Sequence, residues 1–264
     1  MNRYIKECWQ MKVLESIVVA FSMYSKIPMP HIEWNKENMK NVLCFFPWIG
    51  AVVGVLVWLW FRVSDQLGFG VMLRASVAVL IPVLVTGGIH LDGLLDTADA
   101  LSSWQTRERR LEILKDSHAG AFAIISCAVY LMLYVAVYSA LTSRAVVVIG
   151  FGFMLSRTLS GLSVITFPQA RQKGLAATFS QNAARKATRS VLLLYLAGLI
   201  AAMLAAGGLA GAGALLGAGG MYLYYYRMSL KKFGGITGDL AGYFLQMCEL
   251  IMAACVILVE GVLR

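Results

Sequence analysis

The densest acidic run in the chain is Gly87-Gly88-Ile89-His90-Leu91-Asp92-Gly93-Leu94-Leu95-Asp96-Thr97-Ala98-Asp99-Ala100-Leu101. If this stretch is helical, Asp92, Asp96 and Asp99 stand at i, i+4 and i+7 and project from one face. Three carboxylates so placed repel one another unless a cation compensates them. Hard divalent ions prefer carboxylate oxygen, and Mg²⁺ commonly combines one or two carboxylates with water and substrate phosphates, so Mg²⁺ or Mn²⁺ is the expected cofactor. The chemistry this suggests is phosphoryl transfer. A solvated helix end is the plainer alternative. The run, however, interrupts an otherwise apolar chain at the edge of a hydrophobic stretch, where ionisable residues are functional by default.

Other candidates lie farther along. Asp116 precedes the apolar stretch beginning near residue 119 and fits a helix cap or a further metal ligand. Gly234-Gly235-Ile236-Thr237-Gly238-Asp239 is a glycine-rich loop whose backbone N–H groups could approach phosphate oxygens. A simple turn is the commoner outcome for such a loop. Arg157 and Glu249 fall inside apolar stretches, where each is costly unless paired or facing a wet cavity. A structural ion pair between them and a catalytic role are equally open at this level.

These residues must be positioned by membrane helices. The composition is 59% hydrophobic and 14% charged, with mean hydropathy +0.71, against about a quarter charged in a soluble domain. Continuous apolar stretches argue against a β-barrel, whose strands alternate. The predicted fold is all-α, a polytopic transmembrane helical bundle of about seven spans. They are placed near residues 43–61, 75–91, 119–142, 145–167, 190–206, 209–226 and 240–263. Residues 1–264 read as a single integral membrane domain that includes a cytoplasmic or interfacial N-terminal segment, 1–42. Val13–Tyr24 is broken by Glu15, Ser16 and Ser22 and reads as interfacial or re-entrant, or as an eighth span. The loops on the N-terminal side carry most of the Lys and Arg, whereas the other side holds Arg62, Arg74, Arg144 and Arg264; this places the acidic clusters on the cytoplasmic face. Gly207-x-x-x-Gly211 and Gly213-x-x-x-Gly217 predict a tight helical hairpin turning near Gly207 and Gly208. The five scattered cysteines form no Cys-x-x-Cys pair and read as packing residues.

The run from Gly87 to Leu101 closely resembles the G-G-x-H-x-D-G-x-x-D-x-x-D-[AG]-L signature of the cobalamin synthase family. Ser25 to Pro30, Phe46 to Gly50, Asp116 to Phe122, Phe167 to Leu175 and Gly234 to Asp239 with Glu249 are similar to further motifs of that family, across most of the chain. Lys26 and His118 depart from it, standing where arginine is usual. The resemblance implies joining of adenosylcobinamide-GDP to α-ribazole, or its 5′-phosphate, with release of GMP, dependent on Mg²⁺. It implies catalytic roles for Asp92, Asp96, Asp99, Asp239 and Glu249, and metal binding by Asp92, Asp96, Asp99, Asp116 and Asp239. Substrate binding falls to His90, Arg157, Arg171, Lys173, Gly234, Gly235 and Thr237. The expected partners are those two substrates and membrane lipid, with no nucleic acid, and with a homo-oligomer or a complex with other nucleotide-loop enzymes left open. The expected location is the cell inner membrane, multi-pass.

Two alternatives are weighed against this. A CDP-alcohol phosphotransferase also gathers aspartates at a helix end, but its D-x-x-D-G-x-x-A-R pattern fails here because Ile occupies position 89 and no Ala-Arg follows. A secondary transporter would favour internal repeats and midplane sites, and the sequence offers neither.

Overall fold

A computed structural model describes residues 3–116, 118–171 and 183–263, with side chains from Val13 onward except Lys36. Among the described residues there are eleven helices and no strand. They are α1 Arg3–Tyr24, α2 Lys36–Met39, α3 Val42–Gln66, α4 Val71–Thr86, α5 Ile89–Ser102 and α6 Arg107–Ile113. The others are α7 Ala121–Ala140, α8 Ala145–Thr166, α9 Arg185–Gly207, α10 Leu209–Phe233 and α11 Gly238–Val262. Helix is the form expected in lipid, because it satisfies its own backbone polar groups.

Five helices, α3, α7, α8, α9 and α11, are long and apolar enough to cross a membrane. The chain is therefore a multi-pass membrane protein. The seven expected spans differ from this set in two places. First, the predicted span over 75–91 does not run through: α4 ends at Thr86, and α5 departs at 96° to it, so the two make a sixth span only as a bent pair. Gly87 and Gly88 make the corner with φ of +65° and +80°, two successive left-handed residues that glycine adopts without a Cβ penalty. We read α4 as the membrane segment and α5 as lying across the end of the bundle. Second, α10 has 25 residues and runs from the turn at Gly208 back to the loop at Gly234, but it is less apolar than those five, since its glycines and the tyrosines 222, 224, 225 and 226 dilute the aliphatic content. The apolar part of α1, Val13–Tyr24, is shorter than a span.

Small residues set the closest approaches. A Cβ on Gly54 would lie 2.4 Å from the Gly150 carbonyl oxygen, so α3 and α8 touch backbone to backbone. The hairpin expected at Gly207 and Gly208 is present: α9 ends there, and a Cβ on Gly211 would meet the Met203 carbonyl at 2.0 Å. Gly213 and Gly217 admit Val259 and Cys255 of α11. Inside the bundle, Arg157 and Glu249 form an ion pair of 2.7 Å with both side chains almost fully buried. Ser156 Oγ donates to the same carboxylate at 2.9 Å, and Arg157 also donates to the Phe153 carbonyl at 2.9 Å.

Candidate active site

The site is built where α5 crosses the first turns of α11. A Cβ on Gly93 would lie 2.6 Å from the Asp239 carbonyl oxygen, and one on Gly242 would lie 3.1 Å from the His90 carbonyl oxygen. With glycine at both points the two backbones touch, and Asp239 is carried to the acidic face of α5. Thr237 caps α11 through Leu240 N–H at 3.3 Å and also donates to Asp239 Oδ2 at 3.3 Å. Asp239 thus sits in the first turn, where the helix dipole favours a negative charge.

Asp92 is exposed, and Asp96, Asp99 and Asp239 are half-buried. Burial and then the charges of Asp92, Asp239 and Asp99 push the Asp96 carboxyl up to about 7. The other three acids therefore lie near enough to Asp96 to disfavour its ionisation, burial being the larger cause. Asp99 has a further engagement. Its carboxylate accepts from Gly120 N–H at 2.5 Å and Ala123 N–H at 2.8 Å, so it caps α7 from outside that helix. A Cβ on Gly120 would lie 2.6 Å from this carboxylate.

Arg171 faces one of the acids, and two further cations lie against glycines close in sequence to them. The segments 167–171 and 234–237 pair side by side, Ile236 N–H donating to Pro168 O at 2.8 Å and Ala170 N–H to Ile236 O at 2.9 Å. A Cβ on Gly235 would lie 2.5 Å from the Pro168 carbonyl oxygen, so glycine is required for that approach. The pairing delivers Arg171, which donates to the Leu111 carbonyl and feels the charge of Asp239 opposing the lowering of its pKa by burial. Gly234, at φ +75°, leaves the space a Cβ would take to the Arg107 guanidinium, whose carbon would be 1.8 Å from it. Lys26 lies over Gly87 in the same way.

Beside the acids is a cavity of about 310 Å³, lined by His90, Asp92, Asp239 and Ser160 with mainly apolar walls. Among the described residues, the predicted site residues Asp116, Arg157 and Glu249 do not line it. Asp116 is exposed and does not cap α7; it accepts from His118 N–H at 3.0 Å and pairs with the His118 ring at 2.8 Å, contacts that hold its carboxyl below the usual range. Glu249 lies ten residues beyond Asp239 on α11, roughly 15 Å along the axis, in its buried pair with Arg157. Lys173 lies outside the described residues. Arg107 is an addition that no local motif could reveal, because it reaches Gly234 from another helix.

Among the described residues, no three or more His, Cys, Asp or Glu side chains converge as a ready-made metal cage. The donor set fits a hard cation held by one or two carboxylates and completed by substrate phosphates.

The family model described as cobalamin-5-phosphate synthase matches residues 16–257. A protein of Lachnoclostridium phytofermentans named adenosylcobinamide-GDP ribazoletransferase is 45% identical over 96% of this chain and 97% of its own. Proteins of the same name from Clostridium botulinum and Clostridium perfringens are 30% and 32% identical, over 92% and 89% of this chain and 98% and 94% of theirs. No solved structure matches. With the match covering nearly the whole chain and the acidic and glycine-rich segments converging on one site, the chain belongs to the cobalamin-5-phosphate synthase family.

Proposed function

We propose that the protein is an adenosylcobinamide-GDP ribazoletransferase, joining α-ribazole or its 5′-phosphate to adenosylcobinamide-GDP. The observation that carries this reading is the contact of α5 with α11, which brings Asp239, itself facing Arg171, to the acidic face of α5 that carries Asp92 and Asp96. A ribose hydroxyl oxygen attacks the phosphorus nearer the corrinoid and forms a new P–O bond. The bond from that phosphorus to the bridging oxygen breaks, and GMP leaves with that oxygen. The hydroxyl proton passes to a cluster carboxylate or to solvent.

One or two of the carboxylates of Asp92, Asp96 and Asp239 would hold Mg²⁺ or Mn²⁺, the substrate phosphates completing the shell, with Asp99 fixing the start of α7 against them. When bound, the ion neutralises charge on the pyrophosphate and the departing GMP. Arg171, Arg107 and Lys26 supply cations for the phosphate oxygens, and Arg171 and Arg107 can bind in a bidentate manner that Lys26 cannot. The Gly234-Gly235 loop lets backbone and guanidinium approach together. The Lys and Arg asymmetry supports an inner-membrane location with this site facing the cytoplasm, where nucleotide substrates are found.

The test uses purified protein in detergent with adenosylcobinamide-GDP, α-ribazole and Mg²⁺, following GMP and the corrinoid product chromatographically. Stoichiometric GMP and coupled corrinoid, abolished by chelation, are expected. Failure of folded protein to release GMP with either acceptor would overturn the assignment.

A further inference from the structure

His90 is 5% exposed, and its Nε2 has no hydrogen-bond partner among the described residues. Such atoms are normally satisfied in a folded protein, and His90 is one of the residues that line a cavity, which points to a ligand atom that completes it. The cavity is the one beside Asp92 and Asp239. Its walls include Leu43, Phe46, Val164 and Leu245, and the rings of Tyr24 and Phe46 flank the imidazole with centroids 6.4 and 5.9 Å from it. Its volume of about 310 Å³ is at the low end for ligand pockets, roughly 300–1,000 Å³. That admits a nucleoside and excludes a corrinoid macrocycle.

The two substrates of the proposed reaction offer different bases. Guanine carries donors and acceptors around its edge and would leave most of them unpaired against apolar walls. The dimethylbenzimidazole of ribazole is planar and apolar at its edge, with one ring nitrogen free to accept a hydrogen bond. We propose that this cavity is the subsite for the aromatic base of the acceptor nucleoside, with the His90 Nε2–H donating to its free ring nitrogen. The base then lies among the apolar side chains, and its ribose is directed to Asp92 and Asp239, where the attacking hydroxyl is needed. This rests on the transferase reading above and adds a specificity determinant to it.

The experiment compares α-ribazole with the matching dimethylindole riboside, which has C–H where the free nitrogen stands. Wild-type protein should favour α-ribazole in kcat/KM by at least about tenfold, since a site built to bond a polar atom rejects the analogue lacking it. His90→Phe should lose that preference while keeping its KM for adenosylcobinamide-GDP, and His90→Gln, which restores an N–H donor, should recover part of it. Equal use of the two ribosides by wild-type protein, or an unchanged preference in folded His90→Phe, overturns the proposal and leaves the cavity to an apolar occupant such as a lipid chain. Should His90→Phe not fold, calorimetric binding of the two ribosides to wild-type protein decides the matter alone. Wild-type protein that releases no GMP would instead refute the transferase reading, so the two failures are distinguishable.

Discussion

Replacing Gly93 by alanine tests whether the α5 and α11 contact assembles the site. The new methyl would stand 2.6 Å from the Asp239 carbonyl oxygen and 3.1 Å from its Cα, both backbone atoms that cannot rotate away. Restoring an ordinary contact of 3.4 Å requires the helices to part by about 0.8 Å at that point. The displacement falls between Asp92 and Asp96 on one side and Asp239 on the other, so it opens the carboxylate set itself. A misplacement of about 1 Å in a reacting constellation costs on the order of 100-fold in rate, and overpacking of a tight contact about 1–3 kcal/mol in stability. Gly93→Ala should therefore remain folded in detergent, with a somewhat lower melting temperature. It should release GMP roughly 100-fold more slowly and need more Mg²⁺ for half-maximal rate. Turnover within threefold of wild type at unchanged Mg²⁺ dependence would refute the view that this contact sets the geometry.

Asp96→Asn should fold yet lose at least about 100-fold in GMP release, because a preorganised charge at the reacting phosphates is removed. Since Asp96 is pushed up to about 7, a proton competes with metal below that pH. The Mg²⁺ needed by wild-type protein should rise as pH falls from 7 to 6 and level off above 8, and a flat profile would count against Asp96 as a ligand. Glu249→Ala strands the buried Arg157 and should destabilise the protein by about 3–5 kcal/mol in thermal unfolding, whereas Arg157→Met with Glu249→Leu should recover most of it; activity lost without loss of stability would instead make Glu249 a chemical participant. Arg171→Ala and Arg107→Ala should each raise KM for adenosylcobinamide-GDP, while Arg109→Ala, which removes the surface pair with Glu112 and a charge near exposed Asp116, should leave it unchanged. Equal effects from all three would reduce these cations to a general surface charge.

The acidic face of α5 could be read from the chain alone, because i, i+4, i+7 spacing is a local property of any helix. The apolar stretches that became α3, α7, α8, α9 and α11, and the turn at Gly207 and Gly208, were equally local. Gly87-Gly88 was visible as a motif, but hydropathy carried the span through it to residue 91, since a window average registers apolarity and not a pair of positive φ angles. Partnership was decided only by the fold. Asp116 had the sequence position of a cap for the next span, yet the N–H groups of α7 are taken by Asp99, which reaches them from the neighbouring helix. Arg157 and Glu249 allowed two readings until the bundle set them 2.7 Å apart and about three helical turns along α11 from Asp239. Arg107 at Gly234, and a His90 nitrogen without a partner among the described residues on the wall of the cavity that Asp92 and Asp239 also line, had no signal in residue spacing. The sequence determined which residues share a helical face, because that depends on periodicity within one segment. Which faces meet was decided by the close approaches at Gly93 and Gly242, which join α5 to a helix nearly 150 residues later in the chain.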